Sequence, residues 1–214
     1  IQIRKLFSKM FEELKKELIE YGKLAGVKNF TPGFSGNLSA RCGDKILITA
    51  TGTANGYLSE DDFALIDFDG NKIEGDKKPS SEKMLHVEFY RQREDINYIF
   101  HVHSPYLTAF SAAGKALDKN ILAEIVYCFD YIPLAEYALP GSKELVENTS
   151  KFFKDFDVVL MANHGVIVGG KDVKDAYLKL ELCEAYAQTV LFSNLLGGAK
   201  MLPSEEVKKI YSLR

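Results

Sequence analysis

The chain reads as an α/β protein: a three-layer α/β/α arrangement around a central, mixed but mostly antiparallel sheet. Two observations predict this. Tight-turn signals dominate the first third, where short apolar runs flank Gly43-Asp44 and Asp69-Gly70, so neighbouring strands reverse direction. Beyond residue 80, helical and strand periodicities alternate, which lays helices over both faces of a sheet. No Pro/Gly linker, internal repeat or low-complexity stretch interrupts residues 1–214, so a single domain is expected.

The elements follow in order. From about residue 4 to 25, Leu6, Met10, Leu14, Leu18 and Tyr21 recur every three or four positions with Lys and Glu between them. That spacing predicts an amphipathic helix, with Gly26 just past its end. Strands over 37–41 and 45–50 flank the first turn, and strands over 63–68 and 72–74 the second. Ser80 or Ser81 is placed to cap a helix running to about Arg93. Tyr98-Ile99-Phe100 begins a strand closed by His101-Val102-His103 and stopped by Ser104-Pro105. A short helix near 105–113 follows, and Ser142 precedes another to about Phe153. Val158–Ala162 and Val166–Val168 read as strands on either side of His164. The longest helix is expected from Asp172, with Ala176, Leu180, Cys183, Ala187, Val190 and Asn194 on one face and Gly197-Gly198 as its stop. A short helix from Ser204 completes the set.

Composition narrows the function. Apolar residues make up 46% of the 214, enough for a sizeable core. A net charge of −3 and a pI near 5.9 argue against nucleic-acid and membrane-surface partners. Cys42, Cys128 and Cys183 are odd in number with apolar flanks, and read as reduced, partly buried thiols of a cytoplasmic protein. No run approaches the roughly 18 apolar residues of a membrane span, and Ile1-Gln2-Ile3-Arg4 has no signal-peptide character.

The chemistry lies in scarce histidines: four among 214 residues. Strand side chains repeat with a period of two, so His101 and His103 point to the same side. His164 closes a second apolar run and is a candidate third ligand. Three neutral imidazoles plus a carboxylate or water make the open site of a catalytic zinc; the plainer alternative is two surface histidines and one core histidine. Three polar segments precede them: Ser35-Gly36-Asn37, Thr51-Gly52-Thr53 and Lys78-Pro79-Ser80-Ser81-Glu82. Singly they read as a turn, a strand end and a helix cap; together they offer hydroxyls and N–H groups suited to a phosphate. Glu82 either ligates metal, moves a proton beside it, or simply complements a helix dipole. His86, four residues on, reads as structural and hydrogen-bonded behind the site.

In this order, Ser35-Gly-Asn-Leu-Ser39, Thr51-Gly-Thr53, Lys78-Pro-Ser-Ser-Glu82, His101-Val-His-Ser-Pro-Tyr106 and Ala162-Asn-His-Gly165 resemble the motifs of the class II aldolase/adducin family, over about residues 8 to 200. The resemblance implies that His101, His103 and His164 hold Zn²⁺. Glu82 is then the acid/base and also reaches the metal. Gly36, Asn37, Thr51, Gly52, Ser80 and Ser81 hold the substrate phosphate. It further implies a homotetramer with sites at subunit interfaces. The activity implied is reversible cleavage of a ketose 1-phosphate such as fuculose 1-phosphate, to dihydroxyacetone phosphate and a short aldehyde such as lactaldehyde. The chain departs from the pattern at Ile121–Tyr127, which does not align with the family's aldehyde-side tyrosine. Tyr127 is near that position or part of the core, and Glu124 is a second acid/base or a solvated side chain. The tail after Tyr211 is short. Pentulose-5-phosphate 4-epimerase and methylthioribulose-1-phosphate dehydratase are the rival activities within the family, and a non-catalytic adducin-like interaction domain is the rival of another class. The epimerase motif resembles Ser-Ser-Asp where this chain has Ser81-Glu82, and three retained histidines with Glu82 favour an enzyme.

Overall fold

Eight strands form one sheet in the order β4-β3-β2-β1-β5-β8-β7-β6. The computed structural model describes the backbone of residues 2–214 and the side chains of residues 9–214. The strands are β1 (Asn37–Cys42), β2 (Lys45–Thr49), β3 (Phe63–Asp67), β4 (Lys72–Glu74), β5 (Tyr98–Val102), β6 (Leu134–Ala135), β7 (Val158–Met161) and β8 (Gly165–Gly170). Only β6 and β7 pair in parallel; the six other pairings are antiparallel. The expected fold class is therefore met, down to the two-residue turn Gly43-Asp44 between paired Cys42 and Lys45.

Alternation along the strands splits the core in two. Leu38, Ala40, Leu47, Leu65, Phe100, Val102, Val166 and Val168 join one buried cluster, with Leu18 of α1 (Gln2–Val27) and Leu180, Cys183, Ala187 and Val190 of α6 (Val173–Leu195). Ile46, Ile48, Ile66, Ile99, Val159, Met161 and Ile167 join the other, with Leu85 and Phe89 of α2 (Lys83–Gln92) and Leu145 of α5 (Lys143–Ser150). The sheet is thus covered on both faces. The remaining helices are α3 (Pro105–Ala112), α4 (Ala123–Phe129) and α7 (Ser204–Tyr211).

Several boundaries differ from the sequence reading, each for a physical reason. The longest helix is α1, with 26 residues, not α6, with 23. Gly26 lies inside its last turn rather than beyond it, and serves packing there, since a Cβ would sit 2.6 Å from the Gly56 Cα. Asn29, at φ 60, ends the helix instead, and the Phe30 N–H returns to the Ala25 carbonyl. Leu18 of the predicted stripe is buried, while Leu6 lies outside the described side chains. Neither α4 nor β6 was expected. Cys128 on α4 is exposed, against expectation; Cys42 and Cys183 are buried, and all three are unpaired. The caps at Ser142 and Asp172 hold: each side chain accepts a hydrogen bond from the amide three residues on. Among the described residues no helix is long and apolar enough to cross a membrane.

Candidate metal and phosphate site

Four chain segments meet at one end of the sheet's centre: the start of β1, the end of β5, the β7–β8 turn and the lead into α2. Antiparallel pairing sets Asn37 opposite His101. The His101 ring is fully buried, and its Nδ1 lies 3.0 Å from the Val166 carbonyl oxygen. A carbonyl only accepts, so Nδ1 carries the proton and Nε2 presents a lone pair. His103 follows one residue past the strand end, with its Nε2 3.3 Å from His101 Nε2. His164 lies in the β7–β8 turn, after Asn163 at φ 54. The three ring centroids stand 4.8 to 5.1 Å apart. Gly165 permits this, since a Cβ there would sit 2.5 Å from the Val102 carbonyl and 2.8 Å from the His103 ring.

Glu82 closes the group. Its Oε2 is 3.1 Å from His101 Nε2 and its Oε1 is 3.3 Å from His164 Nε2. The Asn37 amide Nδ2 donates to Oε2 over 2.9 Å. Burial pushes the Glu82 carboxyl up, but His101, His164 and Asn37 together hold it well below the usual carboxylate range. Burial and the neighbouring His101 push His103 down to about 3 and His164 down to about 4. In His101, burial is outweighed by the Glu82 carboxylate, and the net shift is upward.

The donor set fits a divalent cation. Nitrogens bound at about 2.0–2.1 Å to one tetrahedral ion stand about 3.3–3.4 Å apart, and His101 and His103 already face each other at 3.3 Å. Buried Glu82 Oε1 and His164 Nδ1 accept or donate no hydrogen bond, which leaves further donor capacity in the cluster.

Beside these residues runs a cleft of about 420 Å³, lined by Gly36, Asn37, Thr51, Gly52, Ser80 and Ser81 among others. The six sequence-predicted phosphate residues are therefore together, but not all in the form expected. Ser80 and Ser81 do not cap α2, which begins at Lys83 with Glu82 in the capping position. The Ser80 N–H instead bonds to the Thr49 carbonyl, in a β-bridge that joins Ala50 to Pro79. Ser80 Oγ accepts the Glu82 N–H at 3.2 Å. Ser81 and Gly52 are exposed to the cleft. The Asn37 amide is engaged with Glu82 on one side and His86 on the other. His86 lies behind the cluster, fully buried, as the sequence suggested. Glu124 and Tyr127 of α4 are exposed and do not line this cleft. Tyr127, at 46% exposure, is not a core residue.

Sequence reasoning missed Glu184. It is buried in the middle of α6 and accepts hydrogen bonds from Ser104 Oγ (2.7 Å), the Tyr106 N–H (2.8 Å) and the Leu107 N–H (2.9 Å). It thereby caps α3 and anchors the chain immediately after His103. The only signal was a carboxylate on the apolar face of α6, four residues after Leu180. Glu184→Ala leaves the buried Ser104 hydroxyl and Leu107 amide and the part-buried Tyr106 amide without an acceptor, and should lower stability by roughly 2–4 kcal/mol. Urea unfolding of the two proteins measures this directly; an unchanged midpoint contradicts it.

The sequence profile described as "Class II Aldolase and Adducin N-terminal domain" matches residues 16–191. A Methanocaldococcus jannaschii protein named L-fuculose phosphate aldolase is 41% identical over 188 residues, covering 85% of this chain and 98% of that one. A Haemophilus influenzae protein named 3-oxo-tetronate 4-phosphate decarboxylase is 34% identical over 203 residues, covering 92% and 95%. A solved structure titled L-fuculose 1-phosphate aldolase superposes with a TM-score of 0.86 at 33% identity, covering 94% and 95%.

Proposed function

Because the chain belongs to the class II aldolase and adducin family, as an enzyme of the lyase type, we propose that it reversibly cleaves a ketose 1-phosphate. Fuculose 1-phosphate is the nearest substrate class, and dihydroxyacetone phosphate and a short aldehyde such as lactaldehyde are the products. The observation that carries this reading is the set of His101, His103, His164 and Glu82, spaced for one cation and opening on a polar cleft.

His101, His103 and His164 are the proposed zinc ligands, and Glu82 lies close enough to be a fourth. A zinc ion held there supplies Lewis-acid polarisation of the substrate's carbonyl and hydroxyl oxygens. Glu82 then gives or takes the proton at the carbon next to the carbonyl, the centre whose bond to the aldehyde fragment breaks or forms. Gly36, Thr51, Gly52, Ser80 and Ser81 hold the phosphate by N–H and hydroxyl groups. Asn37, with its amide committed, contributes through its backbone. The whole of residues 1–214 acts as one domain in this reading. A cytoplasmic homotetramer would bring a neighbour's residues to the aldehyde side, where exposed Glu124 and Tyr127 are available at the surface.

The deciding experiment incubates zinc-loaded protein with fuculose, rhamnulose, ribulose and methylthioribulose phosphates and with 3-oxo-tetronate 4-phosphate. Formation of dihydroxyacetone phosphate from a ketose 1-phosphate supports the aldolase. Epimerised pentulose, a dehydrated product, carbon dioxide release alone, or no turnover at all would each replace it with the corresponding family reading. Phosphate recognition has its own test. Ser81→Ala should weaken kcat/KM for the phosphorylated ketose by about 1–3 kcal/mol, the scale of a hydrogen bond to a charged group. The unphosphorylated sugar should be a poor substrate for both proteins, and equal rates with and without phosphate would remove Ser81 from this role.

A further inference from the structure

Behind Glu82 lies a line of buried polar side chains that the reaction does not touch. Ser39 and His86 are fully buried, Tyr90 is 1% exposed and Asn37 is 5% exposed. Asn37 Nδ2 meets Glu82 Oε2, and Asn37 Oδ1 meets His86 Nε2. His86 Nδ1 meets Ser39 Oγ at 2.7 Å, and Ser39 Oγ meets the Tyr90 hydroxyl at 2.8 Å. With Glu82 as a carboxylate these contacts have one consistent direction. A carboxylate only accepts, so the Asn37 NH₂ must face it. The Asn37 carbonyl therefore faces His86 and accepts in turn, which places the imidazole proton on Nε2. Nδ1 is then an acceptor and takes the Ser39 proton, and Ser39 Oγ accepts from Tyr90, whose hydroxyl gives up the longer, 3.4 Å contact with the Asn97 carbonyl.

We propose that His86 is a positioning residue. Held as the Nε2–H tautomer, it locks the Asn37 amide so that Glu82 Oε2 stays bound by a donor and Oε1 is the oxygen that exchanges the proton with substrate. Glu82 Oε1 is buried and has no hydrogen-bond partner, and lies 3.3 Å from His164 Nε2. Turning Asn37 over would press its carbonyl against the carboxylate and its NH₂ against the His86 N–H. Relief would require His86, Ser39 and Tyr90 to reverse together in a dry interior, where each unmatched group is costly. Burial, with the neighbouring His101 adding to it, pushes His86 down to about 3, which keeps the ring neutral while the lock operates.

This inference rests on Glu82 as the proton-transfer group, and the experiment separates the two. In histidine-¹⁵N-labelled protein, His86 should show a protonated Nε2 and an unprotonated Nδ1 from about pH 6 to pH 9, on both sides of the free imidazole value of about 6.5. An Nδ1–H tautomer or an imidazolium there overturns the proposal, whatever the activity. His86→Phe keeps a flat ring without the donor. It should lower kcat about 10- to 100-fold, the usual effect of an outer-shell partner, with KM and zinc content within about twofold of wild type. His86→Gln, which can still donate to Asn37, should recover most of the rate. Wild-type kcat in folded His86→Phe overturns the lock, and if that variant does not fold the ¹⁵N spectrum alone decides. If Glu82→Gln leaves proton exchange intact, it is the role of Glu82 that falls.

Discussion

Glu82→Gln should lower kcat by roughly 10²–10⁴, the usual contribution of a general acid–base, in a protein that stays folded and largely keeps its metal. The amide retains the size of the side chain and can still present an oxygen to Asn37 Nδ2, now 2.9 Å from Oε2. It cannot take up a proton at the position of Oε1. Exchange of a dihydroxyacetone-phosphate proton with solvent needs no aldehyde, so it isolates this step and should fall by the same factor. Should exchange persist at the wild-type rate, Glu82 is not the base, and the exposed Glu124 or Tyr127 of a neighbouring subunit becomes the candidate.

His103→Ala should abolish turnover and strip the metal while leaving the fold in place. His103 stands just past the end of β5, outside the strand pairing, and its ring is partly exposed. Truncation therefore removes a ligand without opening the core, whereas His101 is wholly buried against Val166. Wild-type protein should carry about one zinc or similar divalent ion per chain. Chelation should remove activity, and zinc should restore it in wild type but not in the variant. Fully active protein that elemental analysis finds free of metal would sink the assignment.

How much of this was legible in the residues depends on the range of the interaction. The His101–His103 pair was readable because strand periodicity alone puts both on one side. The hairpins were readable because Gly43 and Gly70 mark turns locally. The start of α2 was misread because two local options competed. Ser80 is a good cap, yet the β-bridge from Ala50 to Pro79 claimed its backbone first. Helix α4 was missed because seven residues with only Ile125 and Val126 buried leave almost no periodic signal. The role of Glu184, and the partners of His86 although not its place behind the site, were out of reach for another reason. The partners lie 77 to 80 residues away in the first case, and 47 to 49 in the second, so no local pattern encodes them.

None of the described residues lining the cleft is Lys or Arg. A phosphate dianion entering it meets the dipoles of amides and hydroxyls, whose fields die away within a few ångströms. Point charges would be felt out to a Debye length of about 10 Å at 0.1 M salt. Long-range attraction of an anion is then left to the cation held at the histidines and to lysines outside the lining, such as Lys78. Selection among anions then begins only on contact, where the spacing of N–H groups can separate a phosphate monoester carried beside a carbonyl from the many other phosphates of a cell.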